Sequence, residues 1–221
     1  MSVRVKTEVR RQAIVDVALE VFREFGFERS SMAMISRRLG GSKGTLYSYF
    51  KSKEDLFESA MRSACEGPGD QIMDLLDPRR DDLRVVLKAF AKAYLTFIIG
   101  EQVLVITRTA IAEGSSTSLG PHLYEQGPGR ALRKMEAYFA KLIQGEKLRQ
   151  ESPAVMSRHF KGLVEAGFLE QALYGAPVQN DKAIDHAVDT FLRAYEPPLC
   201  SAKTISKERL VTHAVTETMV G

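Results

Sequence analysis

The sequence predicts an all-α protein: a small N-terminal three-helix domain of the helix-turn-helix kind, followed by a larger C-terminal helical bundle. Three observations predict it. Apolar residues recur at helical spacing along the chain, and beyond residue 66 there is no strand-like alternation. Glycines and prolines punctuate those stripes at helix-length intervals. A short helix, a Gly-Gly turn and a second short helix follow one another between Ser31 and Phe50.

The elements follow in order. Ile14, Val17, Ala18, Val21, Phe22 and Phe25 share one helix face, and Gly26 stops that helix. Ser30 or Ser31 caps a second helix with Met32, Ile35 and Leu39 facing inward. Gly40-Gly41 then turns the chain. Ser42 caps a third helix, roughly 43 to 49, whose apolar residues are Leu46 and the following Phe50. Ser52-Lys53-Glu54-Asp55 is a capping-box pattern that opens a fourth helix, with Leu56, Phe57, Ala60 and Met61 inside. Gly67-Pro68-Gly69 and Asp77-Pro78 are read as breaks.

Further on, Leu83, Val86, Leu87, Phe90, Tyr94, Phe97 and Ile98 form a long stripe, and 101 to 112 is very apolar. The run "GSSTSLGP" reads as a loop. Residues 128 to 144 are amphipathic through Leu132, Met135, Phe139 and Leu142. Pro153 starts a helix carrying Val155, Met156, Phe160, Leu163, Val164, Phe168 and Ala172. Ile184, Val188, Phe191, Leu192 and Tyr195 mark the last strong helix, ended by Pro197-Pro198. The reading divides the chain into 1–52, 53–198 and a tail, 199–221, for which an amphipathic helix and a disordered end are both open.

The third helix spends one small face on the core. Its other face offers Lys43, Thr45, Tyr47, Ser48 and Tyr49. Such a helix can enter a DNA major groove, N-terminal residues first. Charge agrees: residues 1–62 hold 12 basic and 8 acidic side chains, against 19 and 20 in the remainder. A basic excess attracts phosphate backbones. Lys43, Lys51 and Lys53 supply charge, whereas Thr45 and Ser48 can reach a base edge or a phosphate. Tyr49 has two open readings, groove contact and packing on the first helix.

Composition excludes other classes. At 44% hydrophobic the chain can bury a core. Cys65 and Cys200 make neither a CxxC pair nor a metal spacing, and His122, His159, His186 and His213 show no ligand spacing. No cofactor or metal is expected. No GxSxG, GxGxxG or P-loop supports an enzyme. With no transmembrane stretch and no signal-type N-terminus, a cytoplasmic location is expected.

The segment "AIVDVALEVFREFGFERSSMAMISRRLGGSKGTLYSYFKSKEDLFESAM" resembles the DNA-binding domain of TetR/AcrR-type transcriptional regulators. The later run "EGPGRALRKMEAYFAKLIQGEKLRQESPAVMSRHFKGLV" is similar to the C-terminal domain of an AefR-like branch. The resemblance implies a homodimeric repressor, released from a palindromic operator by a small, largely apolar effector. It places Lys43, Thr45, Tyr47, Ser48 and Tyr49 on DNA, with Lys53 at a phosphate. It implies a C-terminal domain for ligand binding and dimerisation. The ligand candidates are Phe90, Tyr94, Phe97, Arg108, His122, Phe139 and Phe160, and dimerisation would run through 153–174 and 181–195. Gly41, Ser36 and Ala33 depart from the family pattern: the first two are expected to loosen the turn, and Ala33 to reduce base contacts. A sequence-nonspecific DNA-binding protein without effector is the alternative.

Overall fold

A computed structural model describes residues 3–113, 119–178 and 182–197. Every regular element among them is helical. The first, α1 (Val3–Arg29), is interrupted at Gly26, where φ is 76° and the ψ of 166° is non-helical. Then come α2 (Met32–Leu39), α3 (Lys43–Tyr49) and α4 (Lys53–Met73). Serines start all three of these: Ser31, Ser42 and Ser52 each accept the backbone N–H three residues on. Gly40 closes α2 at φ 68°, a conformation that side-chain-bearing residues avoid.

The C-terminal part contains α5 (Leu83–Ile98), α6 (Glu101–Glu113), α7 (Leu119–Tyr124), a π-helical turn (Glu125–Gly129), α8 (Arg130–Gln144), α9 (Pro153–Glu165), α10 (Phe168–Leu173) and α11 (Ala183–Tyr195). No single described helix is long and apolar enough to cross a membrane. Helices α5 and α6 have the apolarity only as a pair bent by 66°, and the apolar face of α5 is buried in the bundle.

Two cores hold the described residues. The N-terminal one joins Ile14, Ala18 and Phe22 of α1 to Ile35, Leu46, Phe50 and Phe57. Phe57 meets Phe22 and Phe27 edge-on, with ring centroids 5.0 Å apart in each case. This core draws on α4 beyond residue 52, and also takes in Ile106, Leu119 and Leu123. The second core is built around Phe90, Phe139, Phe160 and Phe191 of α5, α8, α9 and α11. Phe160 lies 4.9 Å from Phe191 and 5.8 Å from Phe139, centroid to centroid.

Several elements differ from the sequence reading. Gly67-Pro68-Gly69 does not end a helix, because α4 runs through it to Met73. Its two ends are anchored in different cores, with Leu56 and Phe57 in one and Ile72 and Met73 against the other. That packing outweighs the helix-breaking preference of proline. The single helix expected from Pro153 is two, α9 and α10, parted where Ala166 (φ 25°) and Gly167 (φ 87°) both take positive φ. The end of the "GSSTSLGP" loop is helical from Leu119; residues 114–118 and the tail 199–221 lie outside the described residues. The apolar stripes of α9 and α11 are used inside one chain, where Met156, Phe160, Val188 and Phe191 are fully buried.

Candidate nucleic-acid interface and ligand cavity

Helix α3 is held from one side only. Leu46 is fully buried and Phe50 nearly so, while Lys43, Tyr47 and Ser48 stand exposed, Tyr47 at 52%. Thr45 is half-buried, with its hydroxyl 3.0 Å from that of Ser42. The Ser48 hydroxyl donates to the Thr45 carbonyl at 2.7 Å, which leaves its oxygen free to accept. Tyr49 is half-buried against the N-terminal core. Lys51 is exposed, and its backbone N–H donates to Asp55 at 2.9 Å.

Lys53, expected at a phosphate, also has a partner within the chain. Its ammonium donates to the Phe27 carbonyl at 2.9 Å and sits 4.0 Å from the centre of the Phe27 ring. It ties the end of α1 to the start of α4.

The turn between α2 and α3 is also firmer than its residues suggest. The Ser36 hydroxyl donates to the Gly41 carbonyl at 2.9 Å, and the Gly41 N–H returns to the Ser36 carbonyl at 3.3 Å. The two departures from the family pattern therefore bond to each other. A Cβ on Gly41 would lie 3.2 Å from the Arg10 guanidinium, so α1 brings a cation to this turn that periodicity alone did not reveal.

A cavity of about 540 Å³ lies between α4, α5, α6, α7, the π-turn, α8, α9 and α10. That volume lies within the range of small-molecule sites. Val103, Ile106, Ala110 and Leu123 are among its apolar walls. Of the expected ligand residues, Tyr94 and Phe97 line it. Phe90, Phe139 and Phe160 do not: they are fully buried in the bundle core, because the same stripe that predicted them is the stripe that packs. Arg108 is also elsewhere, donating to the carbonyls of Leu173 and Ala172 at 3.0 and 2.8 Å and so capping α10. His122 pairs with Glu58 of α4 at 3.1 Å, outside the cavity lining.

Besides the expected Tyr94, the cavity's polar groups come from residues the sequence did not single out as ligand contacts, among them Glu165, Lys161, Asp70, Arg130 and Lys134. The Tyr94 hydroxyl donates to Glu165 at 2.8 Å, and Lys161 holds the same carboxylate at 2.7 Å. Burial and the Glu165 charge push the Tyr94 hydroxyl well above its ordinary value. Asp70 of α4 receives Arg130 at 2.8 Å and also Lys134, both from α8, and these contacts hold its carboxyl below the usual range. Burial, with Glu66 beside it, pushes the Cys65 thiol up to about 11, so it stays protonated at neutral pH. Among the described residues no group of three His, Cys, Asp or Glu is placed to hold a metal ion. Helix α4 joins the two sites: three residues separate it from α3, and it forms one wall of the cavity.

Comparison with known proteins agrees with both halves. Residues 14–60 match the profile of bacterial regulatory proteins of the tetR family, and residues 85–197 match the AefR-like transcriptional repressor C-terminal domain. The HTH-type transcriptional regulator BetI of Serratia proteamaculans (strain 568) is 28% identical over 197 residues, covering 86% of this chain and 96% of its own. A crystal structure assigned to the TetR-family regulators, from Mesorhizobium loti MAFF303099, superposes with a TM-score of 0.78 at 24% identity, covering 86% of this chain and 98% of that one. The flavonoid-responsive regulator FrrA superposes with a TM-score of 0.69 at 27% identity, covering 86% and 98%. The matches are to transcriptional regulators, not to enzymes.

Proposed function

The chain belongs to the TetR family of DNA-binding transcriptional regulators, and from that premise we propose that it is a homodimeric repressor released from its operator by a small molecule in the α4–α10 cavity. The observation that carries this reading is that α4 is both the helix next to α3 and a wall of the cavity.

Helix α3 enters the major groove. Lys43 and Lys51 meet phosphates and set the salt dependence. Thr45, Tyr47 and Ser48 face base edges or sugars, and Tyr49 fixes the helix angle from its half-buried position. We assign Lys53 chiefly to holding α1 against α4, through its bond to the Phe27 carbonyl and its place over the Phe27 ring. Two copies place their α3 helices in successive grooves, roughly 34–36 Å apart. Pairing runs through the solvent-side faces of α9 and α11, whose inner faces are already used.

A ligand acts by binding more tightly to the form whose α3 helices are wrongly spaced, and can weaken DNA binding only by that difference in affinity. FrrA, described as flavonoid-responsive, supports a small-molecule signal on this fold. The cavity itself favours this reading over a sequence-nonspecific binder without effector.

The test pairs two assays on the full chain. Compounds that raise its melting temperature are added to the complex with a labelled inverted repeat, followed by anisotropy. Release of DNA by cavity binders is expected. Cavity binders that never release DNA would sink the effector reading, and a one-to-one complex of protein chain and repeat would sink the dimer.

A further inference from the structure

The charges on the cavity wall do not cancel everywhere. Glu125 is answered by Arg133 at 2.8 Å, and Glu165 by Lys161 at 2.7 Å. Glu66 lies one turn from Arg62 on α4. Asp70 is different, since one carboxylate there serves both Arg130 and Lys134. The four basic and four acidic side chains of the lining balance overall, but Asp70, Arg130 and Lys134 as a group carry one unit of positive charge.

The contact is also incomplete. A single terminal nitrogen of Arg130 spans both Asp70 oxygens at 2.8 Å each. The stronger arrangement uses two nitrogens side by side on the two oxygens. Asp70, fixed on α4, does not adopt it. A diffusible carboxylate can, and Lys134, one turn further along α8, flanks the same spot. The cluster is itself partly exposed, and the largely apolar wall beside it would take the apolar body of such an anion.

The consequence for α4 follows from its sequence. Gly67-Pro68-Gly69 immediately precedes Asp70. Pro68 has no N–H, so the helix lacks a backbone hydrogen bond there. The Asp70 tie to α8 lies just beyond that weak turn.

We infer that the ligand is an organic monoanion, a carboxylate on an apolar body, that takes Arg130 and Lys134 from Asp70 and so frees α4 to bend at Pro68. This rests on the cavity being the effector site. A neutral ligand would fill the cavity and leave the tie in place. The anion competes with a carboxylate that its cations keep ionised, so its binding is selective rather than very tight.

The test uses the full-length protein and the neutral dye N-phenyl-1-naphthylamine as a cavity probe. Displacement by decanoate is compared with displacement by 1-decanol. Decanoate is expected to displace the dye at about tenfold lower concentration, the scale of one charge-assisted contact. In Arg130→Met/Lys134→Met that preference disappears while decanol is unaffected. In Asp70→Asn decanoate binds several-fold tighter, and DNA affinity falls without any ligand. Should decanol match decanoate on the wild-type protein, the anion inference is overturned and the cavity reading stands. If dye emission persists unchanged in both Ala110→Trp and Thr107→Phe, the cavity is not the site and both readings fall.

Discussion

Lys53→Met separates two jobs that a lysine beside a DNA-reading helix can have. In the structure its ammonium donates to the Phe27 carbonyl at 2.9 Å and lies 4.0 Å from the Phe27 ring centre. A hydrogen bond from a charged donor contributes about 1.5–3 kcal/mol. The cation–π contact adds about 0.5–1 kcal/mol at a partly exposed site. Methionine keeps most of the packing of the aliphatic stem. The loss should therefore be about 2–4 kcal/mol, a large share of a domain stability of about 5–15 kcal/mol. Urea unfolding followed by circular dichroism should show the midpoint falling by about 1 M or more at unchanged slope. Operator binding measured between low and moderate salt should keep its salt slope, because no phosphate contact is lost. A salt slope reduced by about one, with an unchanged urea midpoint, would refute this and return Lys53 to the phosphate backbone.

Other expectations concern the same two sites and the bundle between them. Tyr47→Ala should weaken specific DNA binding by about 1–3 kcal/mol and leave random duplex nearly untouched, as read by competition anisotropy; Lys43→Ala should weaken both and lower the salt slope. Phe160→Ala removes a ring packed on three others and should cost about 3–5 kcal/mol in denaturant unfolding. The buried Tyr94 hydroxyl holds its proton well above the usual value of 10.0. Its contribution is therefore intact below pH 10 and lost as pH climbs beyond it, and Tyr94→Phe should flatten part of the alkaline unfolding curve. With its thiol at about 11, Cys65 should react slowly with iodoacetamide at pH 8 and quickly near pH 11, in the native protein followed by mass spectrometry.

The N-terminal half was largely legible because its signals are local. Ser31, Ser42 and Ser52 cap the helices that follow them, and each cap is decided within four residues. Gly40 marks a turn for the same reason. The Ser36–Gly41 bond was not legible, because each residue alone looked like a weakness and only the folded turn sets them face to face.

In the C-terminal half the same rules misled where tertiary packing competes with them. Pro68 reads as a break, yet α4 spans two cores and continues through it. The stripe of Phe160, Val164 and Phe168 stays in helical phase across Ala166-Gly167, so periodicity could not show the division of α9 from α10. The stripe found core positions and could not tell core from cavity: Phe90, Phe139 and Phe160 pack inside while Tyr94 and Phe97 reach the hollow. The cavity's polar pairings were invisible for a simpler reason. Asp70 and Arg130 are 60 residues apart, and Tyr94 and Glu165 71, so only the folded chain brings them together.

Selection of bound duplexes from a random DNA pool tests the central claim most directly, that α3 reads sequence as one half of a symmetric pair. The account predicts recovery of an inverted repeat whose half-sites lie about one helical turn apart, lost when Tyr47→Ala replaces the wild-type protein. Recovery of DNA with no motif beyond base composition, at moderate salt and from wild-type protein, would contradict it.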